Sequence, residues 1–334
     1  MNYYLSPMDS VTDYIYRQVA WRHFPHWDKM YAPFIQPNDK PTIVPKEDFD
    51  IHPDNNLDIP LVPQILTCDP EGFIRVGSIL EDYGYTEINL NLGCPARVVV
   101  SKGKGSAMLT DTHKLNQFFQ RIFDHNWKAK ISVKTRLGLT DNADFEELLD
   151  VYFRYPIDEL TIHPRFRSDF YGGEPRLEEF EKVFTSEHAK FNVGDVCKGN
   201  WPTDSSHHIP TPKVCYNGNI FSSKDAESIT AKYPQISSLM CGRGAISDPS
   251  LGRQLKGGAP MSKDEFIDFH NDIYESYFNL GLKERHFLHK MMEMWSYWIK
   301  IVKCDDELLK KLRQSNSTHE YLQVMKDIKK DLII

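Results

Sequence analysis

Short apolar or alternating runs recur along this chain, each separated from the next by a stretch with helical spacing. A period of two marks a half-buried strand, and apolar residues three and four apart mark one face of a helix. Read this way, strands fall at 3–5, 29–34, 61–66, 87–91, 130–135, 159–163, 212–217 and 237–241. Helical patterns occupy 11–21, 70–83, 111–126, 145–154, 175–184, 223–233 and 249–255. Strands alternating with helices predict βαβ units on a parallel sheet, and eight such strands suffice to close a (β/α)8 barrel. The predicted fold class is therefore α/β, a TIM barrel. Its weakest repeat is the connection 37–60, which is rich in Pro, Asp and Asn and carries no long helical pattern.

After Gly257-Gly258-Ala259-Pro260 only helical patterns remain, which divides the chain into a barrel over residues 1–258 and an all-helical domain over 259–334. Ser262 with Glu265 makes a capping box for a helix reaching about residue 280. A second helix over 283–303 has Phe287, Met291, Met294, Trp298 and Ile301 on one face and Arg285, His289, Ser296 and Lys300 on the other. Lys283, Arg285, His286, His289 and Lys290 gather positive or protonatable groups at its start.

Composition narrows the class. A length of 334 residues with 40% hydrophobic content supports a large core, and a net charge of −7 argues against a nonspecific nucleic-acid coat. The six cysteines, at 68, 94, 197, 215, 241 and 304, form no C-x-x-C pair, so zinc-ribbon and iron–sulfur sites have no support and no metal is expected. The stretch 191–212 reads as an inserted surface loop whose His207-His208 pair has no further ligand at useful spacing. Without a secretory leader or a long apolar run, the expectation is a cytoplasmic monomer with reduced thiols and no membrane contact.

In a parallel barrel, chemistry collects where strands end. The first strand runs into Ser6-Pro7-Met8-Asp9, the third ends at Gln64, and the fourth leads through Asn91 to Gly93-Cys94-Pro95. Lys134 and Arg136 close the fifth, His163 with Arg165 and Arg167 the sixth, Asn217-Gly218-Asn219 the seventh, and Gly242-Arg243-Gly244 the eighth. Glycine and proline restrain the backbone around Cys94 and leave its thiol positioned at a strand end. That thiol is a candidate nucleophile, metal ligand, disulfide partner or proton donor. Lys134 is equally readable as half of an ion pair and His163 as a satisfied core histidine. Taken together, the two glycine-bearing loops offer backbone N–H groups and a cationic fork to a phosphate. Gln64 and Lys134 across the mouth complete the layout that flavin mononucleotide (FMN) requires. No G-x-G-x-x-G opens a Rossmann unit.

These motifs resemble the tRNA-dihydrouridine synthase family. The resemblance runs in order through Ser-Pro-Met-x-x-Val-Thr-Asp at 6–13, Gln64, Asn-x-Gly-Cys-Pro at 91–95, Gly-x-Gly-Ser-Ala-Met-Leu at 103–109, Lys-Thr-Arg-Leu-Gly at 134–138, His-x-Arg-x-Arg at 163–167, Asn-Gly-Asn at 217–219 and Gly-Arg-Gly at 242–244. Tyr171 and Gly173 extend the match past 163–167. The resemblance implies an FMN enzyme on a TIM barrel that uses NADPH to reduce the C5–C6 bond of tRNA uridines, with tRNA held by a C-terminal helical domain. Carried over by position, it implies FMN contacts from Pro7, Met8, Asp9, Gln64, Lys134, His163, Asn217, Gly218, Asn219, Gly242 and Arg243. Cys94 becomes the proton donor, and Asn91, Lys102, Arg136, Arg165, Arg167 and Arg285 the contacts to the uridine and its RNA. Pro164, Phe166 and Asn219 depart from the usual pattern, which bears on the RNA loop more than on the flavin. A flavin barrel acting on a free pyrimidine, similar to dihydroorotate dehydrogenase, and an inactive RNA-binding module are the competing readings.

Overall fold

The computed structural model describes residues 1–140, 145–185 and 211–334. Eight parallel strands, β1 (Asn2–Leu5), β2 (Lys29–Ile35), β3 (Leu61–Ile65), β4 (Glu87–Asn91), β5 (Lys130–Arg136), β6 (Glu159–His163), β7 (Lys213–Tyr216) and β8 (Ser238–Cys241), close into a barrel in sequence order. Closure is made by β1 on β8, in register from Asn2 opposite Ser238 to Leu5 opposite Cys241. Around it lie α1 (Tyr14–His23), α2 (Pro45–Ile51), α3 (Pro70–Asp82), α4 (Arg97–Val100), α5 (Thr112–Phe123), α6 (Phe145–Tyr152), α7 (Leu177–Thr185), α8 (Ser223–Lys232), α9 (Arg243–Ser247) and α10 (Leu251–Leu255). Four more helices follow: α11 (Lys263–Phe278), α12 (Glu284–Trp298), α13 (Asp306–Arg313) and α14 (Thr318–Asp331).

All eight expected strands form, with ends within two residues of the sequence reading. The helices differ more. The first begins at Tyr14, because Val11 and Thr12 turn back to donate to the Met8 carbonyl and Asp13 then caps the helix by accepting from Tyr16 N. In the connection 37–60 there is a seven-residue helix, α2, opened by Pro45. The helix expected over 283–303 ends at Trp298, after which the chain turns so that Lys303 pairs antiparallel with Ile333. Helices α13 and α14 lie beyond that expectation. Cys197, His207, His208 and residues 191–210 of the inserted stretch lie outside the described residues.

The barrel interior is polar. From its upper end, Asn91 Nδ2 bonds Gln64 Oε1 at 2.7 Å, Gln64 Nε2 bonds Asn89 Oδ1 at 2.7 Å, and Asn89 Nδ2 bonds Ser132 Oγ at 2.9 Å. Ser132 Oγ reaches Glu87 Oε1 at 2.8 Å, and Lys29 Nζ bridges Glu87 and Glu159 at 2.7 and 2.8 Å. Tyr4 and Ser238 also donate to Glu159, at 3.0 and 2.6 Å. Buried polar groups are tolerable only when so satisfied. The result is a column of bonds that fills the lower part of the barrel.

The C-terminal helices share one continuous apolar core with the barrel shell and pack onto α1, where Phe269 meets Tyr16 and Phe24 with ring centroids 6.2 and 5.9 Å apart. Trp295 Nε1 donates to the Tyr321 hydroxyl at 2.9 Å, and that hydroxyl meets His270 Nε2 at 2.6 Å. Burial, helped by Lys329, pushes His270 down to about 3, so it is a neutral acceptor joining α11 to α12 and α14.

Candidate active site

The loops at the upper strand ends enclose a cavity of about 310 Å³, and residues from all eight strand ends and from α12 line it. After β1, Met8 N donates to Thr12 Oγ1 at 2.9 Å while Met8 O accepts from Val11 N and Thr12 N, both at 3.0 Å. This tight turn carries Pro7, Met8 and Asp9 to the cavity wall.

The Gly93-Cys94-Pro95 loop is held from several sides. Asn91 Oδ1 accepts from Gly93 N at 3.0 Å and from Cys94 N at 2.9 Å. Ser106 donates to Cys94 O through both its N, at 3.1 Å, and its Oγ, at 3.0 Å. Gly105, at φ +59°, is needed there, since a Cβ would fall 2.8 Å from Cys94 O. Burial, helped by the carboxylate of Asp9, raises the Cys94 thiol above its ordinary value, so it is protonated at neutral pH. A thiol held in that form suits proton donation better than nucleophilic attack. The described cysteines, 68, 94, 215, 241 and 304, are all free.

Lys134 lines the cavity, and its Nζ has no hydrogen-bond or carboxylate partner among the described residues. Burial and, next, the nearby Arg136 push it down to about 7. His163 is pushed well down by burial and by the surrounding cations. Its Nε2 lies 3.1 Å from Arg165 Nη1, and because a guanidinium only donates, that nitrogen is the acceptor. His163 is therefore neutral.

Gly244 lets the eighth loop pack on the seventh, and Gly218 leaves room for the Tyr216 ring beneath its own loop. A Cβ on Gly244 would lie 2.0 Å from the Ile220 carbonyl oxygen, and one on Gly218 would lie 2.1 Å from the Tyr216 hydroxyl. Among the described residues, none accepts a hydrogen bond from the backbone N–H of Gly218, Asn219, Gly242 or Arg243. Arg243 adds its guanidinium, oriented by Asn219 Oδ1 at 3.1 Å and Tyr171 O at 3.2 Å. Unpaired N–H groups beside a guanidinium fork are the donor types that hold a phosphate.

Most sequence-derived candidates meet at this cavity: Pro7, Met8, Asp9, Gln64, Asn91, Cys94, Lys134, Arg136, His163, Arg165, Asn217, Gly218, Gly242 and Arg243. Asn219 lies just behind it, bonded to Arg165 and Arg243. Arg136 and Arg165 are buried rather than free. Arg165 holds the carbonyls of Gly172 and Gly173 at 2.9 and 2.6 Å, and Arg136 holds those of Gly93, Phe166 and Phe170. Lys102, Arg167 and Arg285 are not on the wall; Lys102 and Arg285 are exposed, and Arg167 is partly buried with an unpaired Nε. Wall residues missing from the sequence-derived set include Phe34, Glu293 and Tyr297. Phe34 was findable as the end of the second strand. Glu293 and Tyr297 carry no local signal, because only the packing of α12 brings them there.

Among the described residues, no group of three or more His, Cys, Asp or Glu is placed to hold a metal ion, and no helix is long and apolar enough to cross a membrane.

Comparison with known proteins gives this arrangement a family. The chain is 26% identical over 205 residues to tRNA-dihydrouridine synthase B of Pasteurella multocida, covering 61% of this chain and 54% of that protein. It is 24% identical over 341 residues to the tRNA-dihydrouridine(16) synthase of Vibrio parahaemolyticus, covering 98% and 97%. Among solved structures, morphinone reductase shares the barrel fold with a TM-score of 0.50 at 10% identity, over 78% of this chain and 86% of that one. The model of a family described as dihydrouridine synthase (Dus) matches residues 4–187, more than half of the chain, which carry the Cys94 loop, Lys134 and His163. The chain belongs to the dihydrouridine synthase family.

Proposed function

We propose that this protein is a tRNA-dihydrouridine synthase that binds FMN, takes reducing equivalents from NADPH and reduces the C5–C6 bond of uridine in tRNA. The observation that carries the reading is the joint presence, at one cavity, of a protonated thiol, an unpaired lysine and a phosphate cradle. The residues fit FMN on two counts. The unpaired N–H groups at 218–219 and 242–243 match a terminal phosphate, and Lys134, cationic once an anion lies beside it, matches the electron-rich edge of a flavin ring. When bound, FMN supplies the hydride.

The chain's own residues do the rest. Asn91 and Arg136 fix the Cys94 loop, and Cys94 Sγ holds the proton destined for C5 of the uracil. His163, neutral and oriented by Arg165, offers one N–H to the ring system without adding charge. Residues 259–334 form the tRNA-holding domain in this reading, with Lys102, Arg167 and Arg285 as contacts to RNA phosphates. The names of the relatives support tRNA as the substrate. A uridine stacked in folded tRNA has to be extruded to reach a cavity of this kind, at a cost of a few kcal/mol that phosphate contacts elsewhere offset.

The test is spectroscopic. The purified protein is expected to be yellow, to bleach with NADPH, and to regain its colour when tRNA lacking dihydrouridine is added. Reoxidation by free uracil or orotate instead of tRNA would identify a free-pyrimidine reductase. Failure to retain any flavin while binding tRNA would identify an inactive RNA-binding module.

A further inference from the structure

Helix α12 lies far along the chain from the barrel's first loop, yet two of its side chains hold one residue of that loop. Ser10 has φ +64°, in the left-handed region that favours glycine. A residue with a Cβ stays there only when its surroundings over-determine it. Here they do. Ser10 Oγ donates to Glu293 Oε1 at 2.7 Å, and Lys290 Nζ donates to Ser10 O.

Lys290 is in turn held by Glu293 Oε2 at 3.4 Å and Asp13 Oδ2 at 3.6 Å, and its ammonium lies 4.9 Å from the centre of the Tyr277 ring. Its side chain is only 12% exposed, so it is a fixed strut rather than a solvated charge. Asp13 also accepts from the Tyr277 hydroxyl at 2.6 Å, which adds α11 to the same junction. Ser10 directly follows Asp9, and the turn that presents Met8 and Asp9 closes across it through the bonds of Val11 N and Thr12 N to Met8 O. If Ser10 relaxed to negative φ, the chain would leave the turn in another direction and those bonds could not all persist.

We infer that Lys290 and Glu293 are positioning residues for the cofactor loop: they hold Ser10 left-handed and thereby keep Met8 and Asp9 against the flavin. The inference rests on the FMN reading of the cavity. It makes the C-terminal helices part of the flavin site as well as a platform for RNA.

The test is FMN affinity of flavin-stripped protein, measured by quenching of flavin fluorescence. The charge-neutral pair Lys290→Met/Glu293→Ala is expected to weaken FMN binding roughly 5–30-fold, the scale of the strain it leaves unopposed. Adding Ser10→Gly removes the conformational penalty itself and is expected to restore wild-type affinity, although the struts are still missing. A role in packing alone predicts no such rescue. The inference is overturned if the triple variant binds as weakly as the pair, or if the pair binds like wild type. Should the pair fail to fold, recovery of a cooperative melt in the triple variant supports the inference and its absence overturns it. Wild-type protein that binds no FMN overturns the cofactor reading first, and this inference with it.

Discussion

Arg136 Nε donates to the Gly93 carbonyl at 2.8 Å, while its Nη1 donates to Phe166 and Phe170 carbonyls at 3.1 and 2.8 Å. One buried guanidinium therefore ties the Cys94 loop to the loop after β6. Hydrogen bonds to a charged group are worth about 1.5–3 kcal/mol each. Arg136→Met is expected to lower kcat for tRNA by at least tenfold while leaving FMN content unchanged. Single-turnover kinetics on the flavin-loaded variant checks this, and loss of flavin would point instead to a direct cofactor contact.

Cys94 is the expected proton source, so Cys94→Ala should keep FMN and its reduction by NADPH but slow tRNA turnover by about 10²–10⁴-fold, the usual worth of a positioned acid. Its raised thiol value fixes the sign of the pH dependence. The acid form persists through neutrality, so this group leaves turnover level there and depresses it only above the ordinary value of 9.0. A fall already complete by pH 8 would exclude it as the acid.

Lys134 sits near 7 in the ligand-free protein. An anion beside it raises that value, so the complex binds more protons than the free protein at pH above 7. FMN binding at pH 8 is thus expected to take up protons, and affinity to fall as pH rises through that window. Calorimetry in two buffers of different ionisation enthalpy reads the uptake directly. Lys134→Met should abolish it.

Gly244 admits no side chain, because the Ile220 carbonyl oxygen lies 2.0 Å from where a Cβ would be. Gly244→Ala forces apart the two loops that carry the proposed phosphate site. A loss of about 1–3 kcal/mol of stability, typical of overpacking, is expected with purification of largely colourless protein. Thermal melts and flavin absorbance measure the two effects separately. Full flavin content would show that these loops do not hold the flavin phosphate.

His270 is buried and neutral, with a folded value of about 3 against an ordinary 6.5. A depressed histidine contributes stability that is complete above 6.5 and is lost as the pH falls toward 3. Each unit of pH in that window costs about 1.4 kcal/mol. The C-terminal helices are expected to loosen first on acidification, and His270→Gln to flatten the acid limb. Melting curves between pH 4 and 7, followed by tryptophan fluorescence of Trp295 and Trp298, make the comparison.

The barrel was legible because each strand alternates or runs apolar between polar breaks, and because its chemistry-bearing residues fall just past the strand ends. Helix starts were less so. Asp13 caps α1 two residues inside the expected start at Val11, since the apolar pattern does not distinguish a turn from a first helical turn. Helix α14 carried the same signature that marked Ser262–Glu265, in Ser317 and Glu320. The part no pattern reveals is which arginines face ligand. Arg136 and Arg165 look like RNA contacts in sequence, yet their guanidinium groups bind backbone carbonyls that only the folded loops assemble.

The column of side chains inside the barrel also has a direction. Glu87 can only accept at its lower end, and at its upper end Asn91 Oδ1 is committed to two backbone N–H groups. Both ends impose the same polarity, so no amide between them is free to flip. Gln64 has one lone pair of its oxygen engaged by Asn91 and one N–H engaged by Asn89, which leaves it one N–H as its only donor for anything above. The end of the amide that a ligand meets at the mouth is thus set by a carboxylate three side chains below it, out of that ligand's reach.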